Sequence, residues 1–434
     1  MHLKKSIRSL LTLIFISLTY SGTYLFAFQS TLDVLHYEVS LEPDIPTESV
    51  RGSVTIGFNL PPDEHTIELN SGSLTIDSVK GIFVQQFSHT GDELLIRLSE
   101  DRDNENELTI QYHGNPPKGL HFIPEKNQAY TVYFTEYWMV LNPDPGDKAT
   151  ITMNILVDKE LDCIASGALI SVQEKEGKHV YKWEQNFDSP AYTFGFAIGS
   201  FKQQVMKLDK VTIRNYGFGY SSDELKQIFI ETPDMISFFE EKTGIEYFNS
   251  TYSQILIGNH YQEMSGFSVL RASYGSLVLA DSTETNLISH ELAHQWWGNR
   301  ITCAGWEHFW LNEAFATFMS AAYNEHRFGR DKYVSDIDAY YAVYKDIKDR
   351  NNDKSLVFEN WINPSKDDRN LVYFKGAYVL HLLREELGDE VFWAGIRYYS
   401  RKYFDQTVTT SDFHHAMETV SDRDLNSFFD EWVY

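Results

Sequence analysis

From about residue 32 to residue 199, apolar and polar positions alternate with a period of two, and turn residues interrupt the alternation at short intervals. RGSVTIGFNL (51–60), ELLIRL (93–98) and ELTIQY (107–112) carry the pattern, as do 149–157, 179–184 and 192–198. Successive side chains of a strand point to opposite faces, so many short alternating runs with no helical period between them predict an all-β sandwich. Between 199 and 219 the period lengthens, and the boundary falls near 201–208. Over 222–243 apolar residues recur at helical spacing, with Ile228, Ile230, Met235, Ile236, Phe238 and Phe239 available for one buried side. Residues 254–257 read as a strand, and the glycine-punctuated stretch through Gly266 and Gly275 as a short irregular strand or loop. DSTE (281–284) is spaced like a capping box opening the next helix, which Gly298 and Asn299 terminate. The remainder is mainly helical, over 308–326, 331–348, 373–387, 391–403, 411–420 and from 424 on. No internal repeat is evident.

The helix placed after DSTE carries HELAHQWWGN (290–299). His290 and His294, four residues apart, sit about one 5.4 Å turn apart on one face and can both present a ring nitrogen to one metal. Glu291 beside them can hydrogen-bond a water held by that metal. Alone, the H-E-x-x-H spacing is a weak signal. Eighteen residues separate His294 from Glu313 in WLNEAFATF, room for a loop and the opening of a second helix that brings Glu313 back over the histidines. Two imidazoles and one carboxylate leave the fourth zinc position open, which is the catalytic kind of site. Zinc lowers the pKa of bound water to roughly 7, and Glu291 can take the proton as the water attacks a carbonyl. The oxyanion that develops needs a second donor, and the phenol of Tyr373 in YFKGA, sixty residues beyond Glu313, is the candidate. By itself Tyr373 is one tyrosine among 26. Thr317, one turn after Glu313, reads either as orienting a ligand or as bonded to its own helix backbone.

Composition narrows the picture. A chain of 434 residues, 42% hydrophobic and 15% aromatic, has material for two cores, and its formal charge of −25 argues against a nucleic-acid binder. Residues 1–28 have a basic start (Lys4, Lys5, Arg8) and then an apolar run over 10–20, the build of a secretory signal with a plausible cleavage after Ala27. That predicts an extracytoplasmic protein, with an uncleaved N-terminal anchor as the one route to a membrane. Cys163 and Cys303 exclude a disulfide framework and read as buried small apolar residues.

HELAHQWWGN, NEAFA and YFKGA together resemble the aminopeptidase N family of zinc metallopeptidases, in the gluzincin clan, which includes a leukotriene-hydrolysing branch. FAIGSF (196–201) and PDPGDKATITM (143–153) resemble further family segments. The resemblance implies an α+β multidomain fold. An antiparallel β-sandwich-like domain over 31–204 leads into a thermolysin-like catalytic domain over 205–434, built of a mixed sheet and a mainly helical subdomain. It implies one Zn²⁺ held by His290, His294 and Glu313, Glu291 as general base, Tyr373 as oxyanion donor, and peptides with a free N-terminus as substrates. Where the family has G-A-M-E-N-x-G, this chain reads HYQEMSG (260–266), which puts Glu263 and Gly266 in the substrate-binding positions. Glu263 is then the carboxylate that pairs with the substrate ammonium; a solvated loop glutamate is the alternative. Glu136 in FTEYW takes the place of the second amine-binding group drawn from the β domain. DLNSFFDEWVY (424–434) resembles the last helix of the family's catalytic domain, beyond which relatives continue into further domains, so an open cleft is expected. An endopeptidase of the same clan and a non-catalytic peptide-binding relative are the alternative functions.

Overall fold

A computed structural model of the chain describes residues 31–434 apart from 102–105, 359–360 and 362–363; the leader read over 1–28 lies outside the described residues. The alternating half folds as expected, into three sheets around one apolar core. Seven strands form the largest, in the order Ala168–Lys175, Lys178–Pro190, Lys148–Asp158, Asp33–Asp44, Ser49–Asn59, Asn106–Gly114 and Thr75–Lys80. All its neighbours are antiparallel except Asp33–Asp44 with Lys148–Asp158. A four-stranded sheet (Asp162–Ala165, Phe196–Gly199, Gln128–Thr131, Leu120–Ile123) and a three-stranded one (Thr66–Asn70, Glu93–Leu98, Val84–Thr90) share that core.

The next strand, Lys202–Leu208, opens a new sheet that continues through Val211–Gly217, Thr251–Leu256 and Phe267–Leu270, antiparallel at its first pair and parallel thereafter. This sheet is a partition. Tyr252, Leu256 and Leu270 face the helical core, whereas Tyr216, Ile255, Phe267 and Val269 join the core of the β domain. Parallel strands buried on both faces follow from helices covering one side, and here the N-terminal sheets cover the other.

Helices fill the remainder, with several departures from the sequence reading. The stretch 222–243 is two helices, Ser222–Ile228 and Thr232–Thr243, because Pro233 has no N–H to continue the first and sits in the opening turn of the second. Ile230, expected in the buried face, is exposed in the break. Tyr274–Ala280 is a helix where a loop was expected. DSTE caps no helix: Asp281 Oδ1 accepts from the Thr283 amide (3.1 Å) and hydroxyl (2.7 Å), a local turn, and the helix starts only at Asn286. It ends at Ala293, short of Gly298, which holds φ 134° in the turns that follow. Cys163 and Cys303 are free and buried, as expected.

Candidate metal centre and active site

The helix Asn286–Ala293 is buried on every side, polar residues included. Such a helix stays put only if its polar groups are paired. At its start Thr285 Oγ1 donates to Asn324 Oδ1 (2.7 Å), and Asn324 Nδ2 donates to Asn286 Oδ1 (2.6 Å) and Asp336 Oδ2 (2.7 Å). Ser320 Oγ donates to the Asn286 carbonyl (3.1 Å). Asn324 and Ser320 lie on Trp310–Phe328, so this network fixes the histidine helix against the helix that carries Glu313.

Three candidate ligand atoms converge at the other end. His290 Nε2 and His294 Nε2 lie 3.0 Å apart, and each is 3.4 Å from Glu313 Oε2. His294 Nδ1 lies 3.0 Å from the Trp297 carbonyl; a ring N–H donated there leaves Nε2 as the bare nitrogen. Thr317 Oγ1 stands 3.5 Å from His290 Nδ1. Glu263 and Glu291 close in from the side, with ligand atoms within 4.8 Å of each other and of His294.

The electrostatics are those of a buried cluster short of positive charge. Burial pushes the Glu291 carboxyl well up, Glu263 and Glu313 add to the rise, and His294 opposes it. Burial likewise raises Glu263, against the pull of His294. Burial also disfavours a charged His294, but Glu263, Glu313 and Glu291 outweigh it and push the imidazole up to about 10. Glu313 goes the other way: the two imidazoles overcome burial and hold it down to about 2. Its Oε2 is buried without a hydrogen-bond partner although it faces both Nε2 atoms. An orphaned carboxylate oxygen between two imidazole nitrogens, with two more carboxyls alongside, is a donor set that fits a dication.

Tyr373 reaches this cluster by a route the sequence reading missed. Its helix does not start there; Ser365 and Asp368 form a capping box, and one rod runs from Lys366 to Leu387 with a π-helical turn over Leu371–Lys375. The wide turn carries Tyr373, whose ring lies parallel to that of His290 (10° interplanar, centroids 5.8 Å apart). Burial and the Glu313 carboxylate push its phenol well above the usual range, so it keeps its proton and can donate. The glycine of YFKGA has a packing reason. A β-carbon on Gly376 would lie 2.5 Å from Ala314 Cβ, so its absence lets the rod sit directly on the residue after Glu313.

The segment 260–266 runs back along the edge strand Phe267–Leu270, with Gln262 and Val269 exchanging both backbone bonds at 3.0 Å. Gln295, in HELAHQWWGN, ties it to the histidine helix: Nε2 donates to the Met264 carbonyl and Oε1 accepts from the Gly266 amide, each at 3.0 Å. Gly266 is therefore a turn residue, with φ 82° and its amide engaged, and its N–H is not presented to a substrate. Glu136 is not brought to the cluster. Burial pushes it up to about 7, and its charged neighbours are Lys118 and Asp92 of the β domain. In its place the domain presents Tyr133, whose hydroxyl donates to the Tyr261 carbonyl (2.8 Å) and whose phenol is pushed well up by burial and by the charges of Glu291, Glu263 and Glu313. Tyr192 is a second residue missed: its hydroxyl accepts from Asn312 Nδ2 (3.0 Å), and Asn312 Oδ1 accepts from the Cys303 amide (3.1 Å). The polar positions Gln295 and Asn312 inside the motifs were the available signal for these bracing contacts; Tyr133 lies in an aperiodic stretch that carried none.

Fold and site define a class: a β domain and a helical domain of the zinc metallopeptidase type, with an H-E-x-x-H helix and a glutamate from the next long helix. Residues 34–193 match the peptidase M1 N-terminal domain and residues 229–432 the peptidase family M1 domain. The chain belongs to peptidase family M1, whose cofactor is zinc. Aminopeptidase 2 of Candida albicans is 24% identical over 92% of this chain and 46% of its own length, and aminopeptidase N of Lactobacillus helveticus is 25% identical over 94% and 51%. The chain thus spans about half the length of the curated relatives it matches. Among solved structures, a mutant M1 zinc metallopeptidase from Deinococcus radiodurans bound to the substrate Tyr-Ser-Ala shares the fold, with a TM-score of 0.77, 22% identity and coverage of 93% of this chain and 94% of that one.

Proposed function

We infer that this chain is a zinc-dependent aminopeptidase that hydrolyses the N-terminal peptide bond of peptides. One observation carries the reading: a second buried carboxylate, Glu263, stands beside the general-base candidate Glu291 and His294. Hydrolysis alone needs one base. A further buried carboxylate at that distance suits the α-ammonium of a substrate whose first peptide bond lies at the metal.

His290, His294 and Glu313 would hold a zinc ion, which would supply a Lewis acid and lower the pKa of a bound water to roughly 7. Glu291, with its raised carboxyl, accepts the proton of the attacking water and returns it to the leaving amine. Tyr373 donates a hydrogen bond from its phenol to the oxygen of the carbonyl under attack. Glu263 pairs with the ammonium and sets which bond is presented. In this reading the β domain over 31–204 walls the cleft of the peptidase domain over 205–434.

The experiment compares Tyr-Ser-Ala with its N-acetylated form, with and without a zinc chelator. Release of free tyrosine from the first alone, abolished by the chelator and restored by Zn²⁺, is the expected result. Equal turnover of both points to an endopeptidase, and binding without turnover to a non-catalytic relative. The composition of residues 1–28 supports an extracytoplasmic location, and the N-terminal sequence of the exported protein tests it: a start at 28 means cleavage, a start at Met1 an anchor in the membrane.

A further inference from the structure

Two consecutive residues at the rim of the site hold left-handed backbone without being glycine, Tyr133 at φ 49° and Phe134 at φ 43°. Side chains of this bulk avoid that region, and neither ring offers the local hydrogen bond that lets asparagine or aspartate enter it. The turn is held from outside. Gly119 leaves room for the Phe134 carbonyl oxygen, which lies only 2.3 Å from where a β-carbon would be, and Gly72 does the same for the Glu136 carbonyl oxygen at 2.8 Å. The Lys118 ammonium sits 3.6 Å from the Phe134 ring centroid and 4.6 Å from that of Tyr137, with Glu136 as its charged neighbour.

This strained turn delivers Tyr133. The Tyr133 amide donates to Gln262 Oε1 (3.0 Å) and its hydroxyl donates to the Tyr261 carbonyl (2.8 Å), so the β domain grips the two residues that precede Glu263. Gln295 grips the residues that follow it, and Asn299 Nδ2 reaches the Glu263 carbonyl itself at 3.4 Å. Glu263 is clamped between the domains. The Tyr133 hydroxyl is thus anchored inside, while the residue as a whole is 39% exposed at the rim. Strain concentrated at such a place, and maintained by two close-packed glycines and a cation over two rings, is the pattern of a turn kept for what it positions.

We propose that Tyr133 is a positioning residue through which the N-terminal domain fixes the Glu263 carboxylate and thereby sets the preference for a free α-amine. Glu136 acts one step further back, through Lys118, by holding the turn. The inference rests on the aminopeptidase reading above. An ammonium gains a charge-assisted bond only where the carboxylate oxygen stands at bonding distance, so a Glu263 segment released on one side binds the amine less well without altering the metal or the base.

Tyr133→Phe keeps the ring and the turn and deletes only the hydroxyl bond to Tyr261. The measurements are kcat and KM for Tyr-Ser-Ala and its N-acetylated form, zinc content and melting temperature. Loss of one hydrogen bond to backbone predicts a rise of about 2- to 10-fold in KM for the free peptide. The free-to-blocked ratio falls by the same factor, with kcat within about 2-fold, full zinc and an unchanged melting temperature. Gly119→Ala, which displaces the Phe134 carbonyl, reproduces the KM effect in folded protein. Wild-type KM and selectivity in Tyr133→Phe overturn the proposal, as does an equal fall in kcat on both peptides accompanied by zinc loss. In a Glu291→Gln background, calorimetry with Tyr-Ser-Ala reads the same shift as Kd without turnover. Failure of the wild type to cleave the peptide therefore counts against the aminopeptidase reading and leaves the positioning of Glu263 testable by binding.

Discussion

Gly376→Ala separates packing from propensity at the residue that seats Tyr373. In an ordinary helix interior the change gains about 1 kcal/mol, because alanine is the better helix former. Here the new β-carbon lands 2.5 Å from Ala314 Cβ. Both atoms are fixed to backbone and neither can rotate away, so the two helices must part by about 1 Å. Overpacking of this sort costs about 1–3 kcal/mol, which leaves a net loss of about 0–2 kcal/mol and, for a cooperative unit of this length, a melting temperature lower by up to roughly 2 °C. Since Ala314 follows Glu313 and Gly376 closes the turn that carries Tyr373, a shift of that size also costs up to about 100-fold in kcat/KM. The partner change is diagnostic. After Ala314→Gly the nearest atoms to the new methyl are Ala314 Cα and Trp310 Cε3, both at 3.6 Å, an ordinary contact. The double variant Gly376→Ala, Ala314→Gly should thus regain about 1–3 kcal/mol over the sum of the single changes. The assays are thermal unfolding and steady-state hydrolysis of Tyr-Ser-Ala. A Gly376→Ala protein more stable than the wild type, or strictly additive single changes, refutes the close approach as the reason for this glycine.

Two more predictions concern charge. Glu291→Gln keeps the ligand set and removes the base, so kcat should fall by about 100- to 10,000-fold while zinc, measured by atomic absorption, stays at one per chain; full activity in the variant removes Glu291 from the mechanism. His121 packs at a tilt against His260 (centroids 4.5 Å) and stacks on Tyr130, and burial together with His260 lowers its pKa to about 4. With the folded pKa below the unfolded value, its contribution to stability is full above about pH 6.5 and is lost as pH falls toward 4; at most about 3 kcal/mol is at stake. His121→Phe should flatten the fall in melting temperature across that window, and an unchanged acid slope contradicts the assignment.

The sequence was readable where side-chain chemistry and chain geometry depend on local spacing. His290 and His294 share a face because of the helical repeat, and the strands over 93–98 and 148–158 alternate because of the pleat. It was not readable where a residue's direction is set by distant partners. Glu136 lies in a plausible motif, yet Gly72, Gly119 and Lys118 fold its turn so that Tyr133 faces the site, and none of those three is near it in sequence. The capping pattern of DSTE lost to a tighter local turn of Asp281, whereas the true cap of the Tyr373 rod, Ser365 with Asp368, lay ahead of a motif that drew the helix start to itself. A π turn leaves no periodic trace over five residues. Gly266 looked like part of a binding surface because a motif glycine and a turn glycine are the same letter.

In the sheet that opens with Lys202–Leu208, the strands Thr251–Leu256 and Phe267–Leu270 are buried on two faces. Removing the β domain would strip one of them and lay bare Tyr216, Ile255, Phe267 and Val269, so the helical half depends on that cover. The two halves are therefore expected to melt as one cooperative unit, with a single transition in calorimetry, and limited proteolysis of the native chain to release no stable fragment of the helical half.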